Sequence, residues 1–195
     1  MKKTSYIASA LIIVAVLALG YFLFPGEKNQ KAAVDGAGNK VQAKVIPQEY
    51  ALVKDISYDG IKLTDGKAVT ADGMITLMPE LSAAGDLNAD GKNDLVVVSY
   101  EDQNQGQSFR NLAVYLSSGE TLSYVGKIFL GDTVRVREVV IGEGGVISIK
   151  MYTHKPDDFL EAPTHYVEEK YKMANGEVIE LGRVDLPAEN AEKAN

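Results

Sequence analysis

Apolar and polar residues alternate over short stretches through most of the chain, a pattern typical of β-strands with one buried and one exposed face. In "TVRVREV" (residues 133–139) valines alternate with arginines, and in "VISIKMYT" (146–153) Ile147, Ile149 and Met151 would share one face of a strand. Long helical periodicity is missing from this region. The pattern therefore predicts an all-β domain over residues 45–186, with mainly antiparallel strands in a sandwich-like arrangement.

Turn-forming residues separate the apolar runs at nearly regular intervals. "SSGE" (117–120), "GEGG" (142–145) and "NG" (175–176) supply residues that tolerate the left-handed conformations of hairpin turns. The "DG" pairs in "YDG" (58–60), "TDG" (64–66) and "ADG" (71–73) indicate three more turns. Their spacing of six to seven residues is too short for a solenoid repeat, so we interpret them as hairpin turns.

The N-terminus differs from the rest of the chain, because Lys2 and Lys3 are followed by an uncharged, largely apolar run through residue 26. As a helix this run would extend roughly 35 Å, enough to cross the apolar core of a bilayer. We favour an uncleaved signal anchor over residues 1–25, with everything after Pro25 outside the cytoplasm. The alternative is a cleaved signal peptide with Ala18 and Gly20 before the cut.

Two polar segments flank the predicted β domain. Residues 26–44 are small and polar, without apolar periodicity, and predict a flexible linker. Residues 187–195, "PAENAEKAN", predict a disordered tail. The chain contains no cysteine, which excludes disulfides, thiolate metal sites, a thiol nucleophile and lipoprotein anchoring through a cysteine.

The net charge of −7 is unevenly distributed. Outside the N-terminal run and the linker, 14 basic residues stand against 25 acidic residues, a net charge of about −11. Such a surface repels nucleic acid and attracts cations, so we expect no nucleic-acid partner. The membrane is the expected partner of the N-terminal segment. A protein or polysaccharide ligand and the oligomeric state stay open.

The stretch "GDLNADGKNDLVVV" (85–98) concentrates oxygen donors directly before an apolar run. Asp86, Asn88 and Asp90 alternate with spacer residues, and a glycine that permits a sharp reversal follows Asp90. The Lys92 carbonyl and the Asp94 carboxylate could then complete a ring of hard oxygen ligands, the kind that calcium prefers. The alternative is an acidic turn held by its own hydrogen bonds. Crowding of three carboxylates favours the cation.

This stretch resembles the calcium loop of FG-GAP and VCBS-type repeats, in which the pattern D-x-[DN]-x-D-G-x-x-D leads into a β-strand. An EF-hand is a poorer match, because position 12 is Val97 and a strand former follows where a helix is needed. The resemblance implies calcium binding by the side chains of Asp86, Asn88, Asp90 and Asp94 and by the Lys92 carbonyl. It covers about fourteen residues and occurs once, so it does not imply a multi-bladed propeller.

Both histidines lie in "YTHKPDDFLEAPTHY" (152–166), where His154 precedes Asp157 and Asp158. This cluster could bind a transition metal or supply an acid and a base. Pro156 and Pro163 instead favour a bent connection between two strands.

The same region is similar to a group of bacterial exported proteins and lipoproteins with no assigned activity. Their single "GDLNGDG-x-x-D" loop is followed by "LGDRV" and "THGPDDP-x-CCPT". This chain has "LGDTV" (130–134) and "THKPDDFLEAPT" (153–164), with Glu161 and Ala162 in place of the cysteine pair.

The sequence thus predicts a membrane-tethered bacterial extracytoplasmic protein, in the periplasm or at the cell surface, with one calcium loop and a non-catalytic binding or structural role. Two alternatives stay open. One is an extracytoplasmic hydrolase that uses His154, Asp157 and Asp158. The other is a cleaved periplasmic or secreted calcium-binding protein.

Overall fold

A computed structural model of the chain describes residues 46–53, 55–104, 106–119 and 121–187, together with two short strands near the N-terminus. The chain divides into two units, residues 1–43 and 44–195. In the first unit, β1 (Ala33–Val34) and β2 (Lys40–Val41) pair antiparallel within the predicted linker. The predicted helix over residues 1–25 and almost all of the tail over 187–195 lie outside the described residues.

The second unit is built almost entirely of β-strands, which confirms the all-β prediction. The described residues of this unit include one short helix, α1 (Tyr50–Val53), and a 3-10 turn at Glu143–Gly145. The strands are β3 (Ser57–Tyr58), β4 (Ile61–Lys62), β5 (Lys67–Val69), β6 (Gly73–Gly85), β7 (Asp94–Gln103), β8 (Ser108–Ser117), β9 (Leu122–Asp132), β10 (Arg135–Ile141), β11 (Ile147–Thr153), β12 (His165–Ala174) and β13 (Glu177–Asp185). Within the described part of the chain, no helix has the length and apolarity needed to cross a membrane.

Two antiparallel sheets organise this unit. One has five strands in the order β5-β6-β7-β8-β9, and the other has four in the order β10-β11-β12-β13. Neighbours in each sheet are also consecutive in sequence, and most are connected by short turns, as the turn residues predict. Longer segments, residues 86–93 and 154–164, connect β6 to β7 and β11 to β12. At the β12–β13 turn, Asn175 and Gly176 have φ values of 53° and 83°, the left-handed pair that a two-residue hairpin needs.

The two sheets pack through one apolar cluster formed by alternate residues of their facing sides. Val96 and Val98 of β7 meet Ile147, Ile149 and Met151 of β11 in this cluster, and all five side chains are fully buried. The predicted inward face of "VISIKMYT" is therefore confirmed. Burial of each such side chain contributes about 1.5–3 kcal/mol to folding.

A second apolar cluster covers the opposite face of the five-stranded sheet. Leu95 and Val97 of β7 pack there against Val53, Tyr58 and Leu63 from the segment that precedes β5. β7 is thus buried on both faces, with residues 94–99 all inaccessible to solvent. The acidic loop leads directly into this buried stretch of β7.

Candidate calcium loop

The acidic loop connects β6 to β7, and the pair Gly85–Asp94 closes its base. Ala89 and Gly91 have φ values of 62° and 81°, so the chain reverses twice within a few residues. A left-handed residue is costly for any side chain and free for glycine, which explains the glycine after Asp90. These reversals turn the side chains of the predicted ligands toward the loop's own backbone.

The loop is closed by hydrogen bonds from its amides to its acidic and amide side chains. Asp86 accepts from the Asp90 N–H at 3.1 Å and from the Gly91 N–H at 2.8 Å. Asn88 Oδ1 accepts from that same Asp90 N–H at 3.1 Å. Because Asp86 and Asn88 share one donor, their side-chain oxygens converge on the same side of the loop.

Asp90 occupies the centre of the motif and stays in solvent. One of its oxygens accepts from the Lys92 N–H at 2.9 Å, and the Lys92 ammonium lies 3.6 Å from the other. The backbone hydrogen bond from Lys92 lowers the pKa of the Asp90 carboxyl, and the Lys92 charge acts in the same direction. Asp90 is therefore held in its ionised form, the form that a cation needs.

Asp94 has a different environment from the other three side chains. It is fully buried, and its two oxygens accept from the Leu87 N–H and the Ser117 N–H, both at 2.8 Å. One carboxylate therefore ties the start of the loop to the start of β7 and to the end of β8. This is a structural role that the sequence motif does not reveal, because spacing alone does not show which way a side chain turns.

Two neighbouring segments hold the loop from outside. The Asn93 amide donates to Glu49 at 2.9 Å, which connects the loop to the segment before α1. On the other side, the 3-10 turn comes so close that a Cβ atom on Gly145 would lie 2.7 Å from the Asp86 carbonyl oxygen. A groove of about 440 Å³ lies beside this contact, lined by Asp86, Asn88 and the turn.

The donor set fits a calcium ion in its chemistry. Carboxylate and amide oxygens carry more than one lone pair each, so the hydrogen bonds described above leave acceptor capacity on Asp86, Asn88 and Asp90. Calcium takes six to eight oxygens in flexible geometry and accepts backbone carbonyls and water among them.

The spacing of the charged groups is less favourable. Among the described residues, no three His, Cys, Asp or Glu side chains come together closely enough to hold a metal ion. Asp94 is fully buried, which leaves the half-buried Asp86 and the exposed Asp90 as the other carboxylates of the motif.

The histidine segment does not assemble a comparable group. His154 Nε2 lies 3.0 Å from Thr133 Oγ1, whereas His165 Nε2 lies 2.9 Å from the Asp185 carboxylate. Asp158 accepts from the Lys155 N–H at 2.9 Å and the Thr164 N–H at 2.7 Å. These backbone hydrogen bonds lower the pKa of Asp158, with the Lys155 amide as the larger cause. Asp158 thus closes the bent connection between β11 and β12.

A polar network that the sequence did not indicate lies on the outer face of β7. Glu101 Oε1 accepts from the Tyr58 hydroxyl at 2.5 Å, from Asn111 at 2.9 Å and from the Lys127 ammonium at 2.8 Å. Burial raises the pKa of the Tyr58 phenol, and its hydrogen bond to Glu101 adds to that shift. The residues of this network come from four strands, β3, β7, β8 and β9. In the sequence, the polar residues Ser99 and Glu101 at alternate positions of β7 are the signal of it.

A comparison with protein families identifies an FG-GAP repeat at residues 79–109. This range runs from the second half of β6 through the loop and β7 to the start of β8, so it contains every residue of the candidate calcium site. No curated protein matches the chain. No solved structure matches it either. The repeat suggests a binding or structural β domain.

Proposed function

We propose that this protein is a non-catalytic β domain whose β6–β7 loop binds one calcium ion, and that an N-terminal membrane segment holds the domain outside the cytoplasm. The observation that supports calcium most directly is the shared Asp90 amide, which brings the Asp86 and Asn88 oxygens to the same side of an exposed loop. An FG-GAP repeat at this position adds to the case, because such repeats often bind calcium.

The proposed ligands have different tasks. Asp86, Asn88 and Asp90 would supply side-chain oxygens, and Lys92 would supply its backbone carbonyl. Asp94 would contribute through a remaining lone pair while it keeps Leu87 and Ser117 in place. A bound calcium would neutralise the carboxylates and tie the loop to the buried strand β7.

A binding or structural role fits the surroundings of this loop better than catalysis. His154 contacts Thr133, and Asp158 is engaged by the backbone of its own segment. The Glu101 carboxylate is engaged by three donors. An acid or base in a reaction must reach a proton on a substrate, and these groups are occupied by the fold.

Thermal melting of the full chain tests the calcium proposal. With an affinity of about 10⁻⁴ to 10⁻³ M, about 10 mM calcium should raise the melting temperature by roughly 3–10 °C relative to EDTA. The Asp90→Ala variant should lose this rise. The Asp72→Ala variant should keep it, because it makes the same change in a second "ADG" turn of the chain. If calcium raised the melting temperature of both variants equally, or of neither, the result would contradict the calcium site.

Membrane placement needs a separate test, because the segment concerned lies outside the described residues. We expect the mature protein to retain Met1 or Lys2 and to sediment with membranes, with the domain accessible to protease from outside the cytoplasm. An N-terminus mapped near Tyr21 in soluble protein would support the cleaved, freely diffusing alternative. This result would leave the calcium proposal untouched.

A further inference from the structure

The four-stranded sheet ends in a long edge strand. Among the residues that the structure describes, β13 pairs with β12 alone, so along its nine residues the backbone groups of one edge have no strand partner there. Such an edge is a template for strand addition, and proteins usually shorten, distort or cover it. At the edges of the five-stranded sheet, β5 has three residues and β9 has two register shifts against β8, whereas β13 has nine residues and one register shift against β12.

β13 also exposes apolar side chains. Ile179, Leu181 and Val184 are 45%, 52% and 53% exposed. Ile179 pairs with Lys172 and Val184 pairs with Glu168. These two β12 residues point to the outer face of the sheet, so Ile179 and Val184 lie on that face as well. Leu181 is the extra residue of a β-bulge, because Gly182 and Glu180 pair with the consecutive residues Lys170 and Tyr171.

The bulge changes which residues share a face. Glu180 pairs with Tyr171 and Arg183 pairs with Glu169. Tyr171 and Glu169 are two positions apart on β12, so their side chains point to the same face. Glu180 and Arg183 therefore lie on the same face of the sheet although they are three positions apart in sequence. Without the bulge they would point to opposite faces.

This arrangement makes the edge self-complementary. If two copies of β13 pair antiparallel about a two-fold axis at residues 181–182, Glu180 of each copy faces Arg183 of the other. In the same register Ile179 faces Val184 of the second copy on the outer face. Because the bulge adds a residue, the next register that keeps Glu180 and Arg183 on this face is a slide of three residues, and it places Glu180 opposite Glu180, or Arg183 opposite Arg183. Like charges directly opposite are unfavourable, so one register is selected.

We propose that β13 is a homodimerisation edge, through which a second copy of this chain continues the four-stranded sheet across a two-fold axis. Backbone hydrogen bonds and the paired aliphatic side chains supply the attraction, while the charges choose the register. Arg183 can take part because its side chain is 38% exposed while it also contacts Glu169 and Thr153.

Sedimentation of the full chain, in mild detergent if the N-terminal segment requires it, tests the proposal. We expect a species of twice 21.1 kDa. The Glu180→Lys variant should sediment at 21.1 kDa, because it places an ammonium opposite Arg183 of the second copy. Glu177→Lys is the matched control: it makes the same charge change on the same strand beyond the paired region, and it should stay dimeric. Circular dichroism should be unchanged in both.

Cysteine cross-linking tests the register independently, since the chain has no cysteine of its own. Oxidation of a mixture of Ile179→Cys and Val184→Cys proteins should give a disulfide-linked dimer. Either variant alone should give none, and Val125→Cys, an exposed position on β9, should give none with either. A monomeric wild-type chain at the highest soluble concentration would overturn the proposal. So would a Glu180→Lys variant as dimeric as Glu177→Lys, or single variants that cross-link as readily as the mixture.

Discussion

Asp90 and Asp94 belong to one sequence motif, but the fold gives them opposite surroundings. Asp90 lies in solvent beside Lys92, whereas Asp94 is fully buried and accepts two backbone hydrogen bonds. A buried N–H that loses its acceptor costs about 1–3 kcal/mol, which is far more than the loss of a hydrogen bond in water. The two residues should therefore respond differently to the same substitution.

We predict that Asp94→Asn lowers the free energy of unfolding by about 1–3 kcal/mol even in EDTA, because either the buried Leu87 amide or the half-buried Ser117 amide loses its acceptor. Asp90→Asn should leave the stability in EDTA close to wild type and reduce only the stabilisation by calcium. Chemical denaturation with and without calcium measures both effects. An Asp94→Asn protein as stable as wild type in EDTA would contradict the structural role of this carboxylate.

At this scale the sequence predicted which residues form the loop, but not which way each one turns. The alternation of Asp86, Asn88 and Asp90 follows from residue types and spacing, which are visible in the chain. Burial of Asp94 depends on β7 being covered on both faces, and the covering segments come from residues 50–63 and from the second sheet. No local pattern encodes those distant contacts.

The loop and the turn between β10 and β11 form a pair of elements in direct contact. Gly145 has a φ of +73°, and a Cβ there would lie 2.7 Å from the Asp86 carbonyl oxygen and 3.0 Å from that of Leu87. Its neighbour Gly144 has a similar φ of +67°, but only the tip of Lys172, at 4.0 Å, lies near its Cβ position. Gly145, and not the adjacent left-handed Gly144, therefore brings the turn against the loop.

We predict that Gly144→Ala costs about 1–2 kcal/mol for the left-handed conformation alone. Gly145→Ala should cost about 1–3 kcal/mol more, because the backbone of the loop must move aside. It should also weaken calcium binding, which Gly144→Ala should not. Melting and calcium titration of the two variants measure the difference, and equal effects would show that the close approach of turn and loop has no consequence.

The turns themselves were predictable, since the Asp-Gly and Asn-Gly pairs encode left-handed conformations locally. Asp59, Asp65 and Asn175 all have positive φ values, each before a glycine. The sequence did not predict that the turn at 143–145 packs on the calcium loop. This contact depends on how two sheets face each other, a property of the whole core.

Across the molecule, several tyrosines are held neutral by the two apolar clusters. Burial raises the pKa of Tyr58, Tyr115 and Tyr171, and raises that of Tyr124 to about 12. A phenol whose pKa is higher in the folded than in the unfolded state stabilises the fold below the unfolded pKa of about 10. That contribution is lost as the pH rises from there through the folded value.

We therefore predict that the protein loses stability above about pH 10. Phenolate absorbance from the buried tyrosines should rise together with the loss of the β-sheet circular dichroism signal, and not before it. A parallel alkaline titration of both signals measures this coupling. Complete phenolate formation while the sheet signal stays intact would contradict the burial of these side chains.

The proposed calcium ion lies in the loop that leads into β7, a strand buried on both faces along its first half. The most direct measurement is a calorimetric titration of calcium into the EDTA-treated full chain, with magnesium and the Asp90→Ala and Asp72→Ala variants in parallel. We predict one saturable site with a dissociation constant of about 10⁻⁴ to 10⁻³ M, lost in Asp90→Ala and kept in Asp72→Ala. Absence of heat at millimolar calcium, or binding that survives Asp90→Ala, would contradict it and leave residues 86–94 as a self-bonded acidic turn.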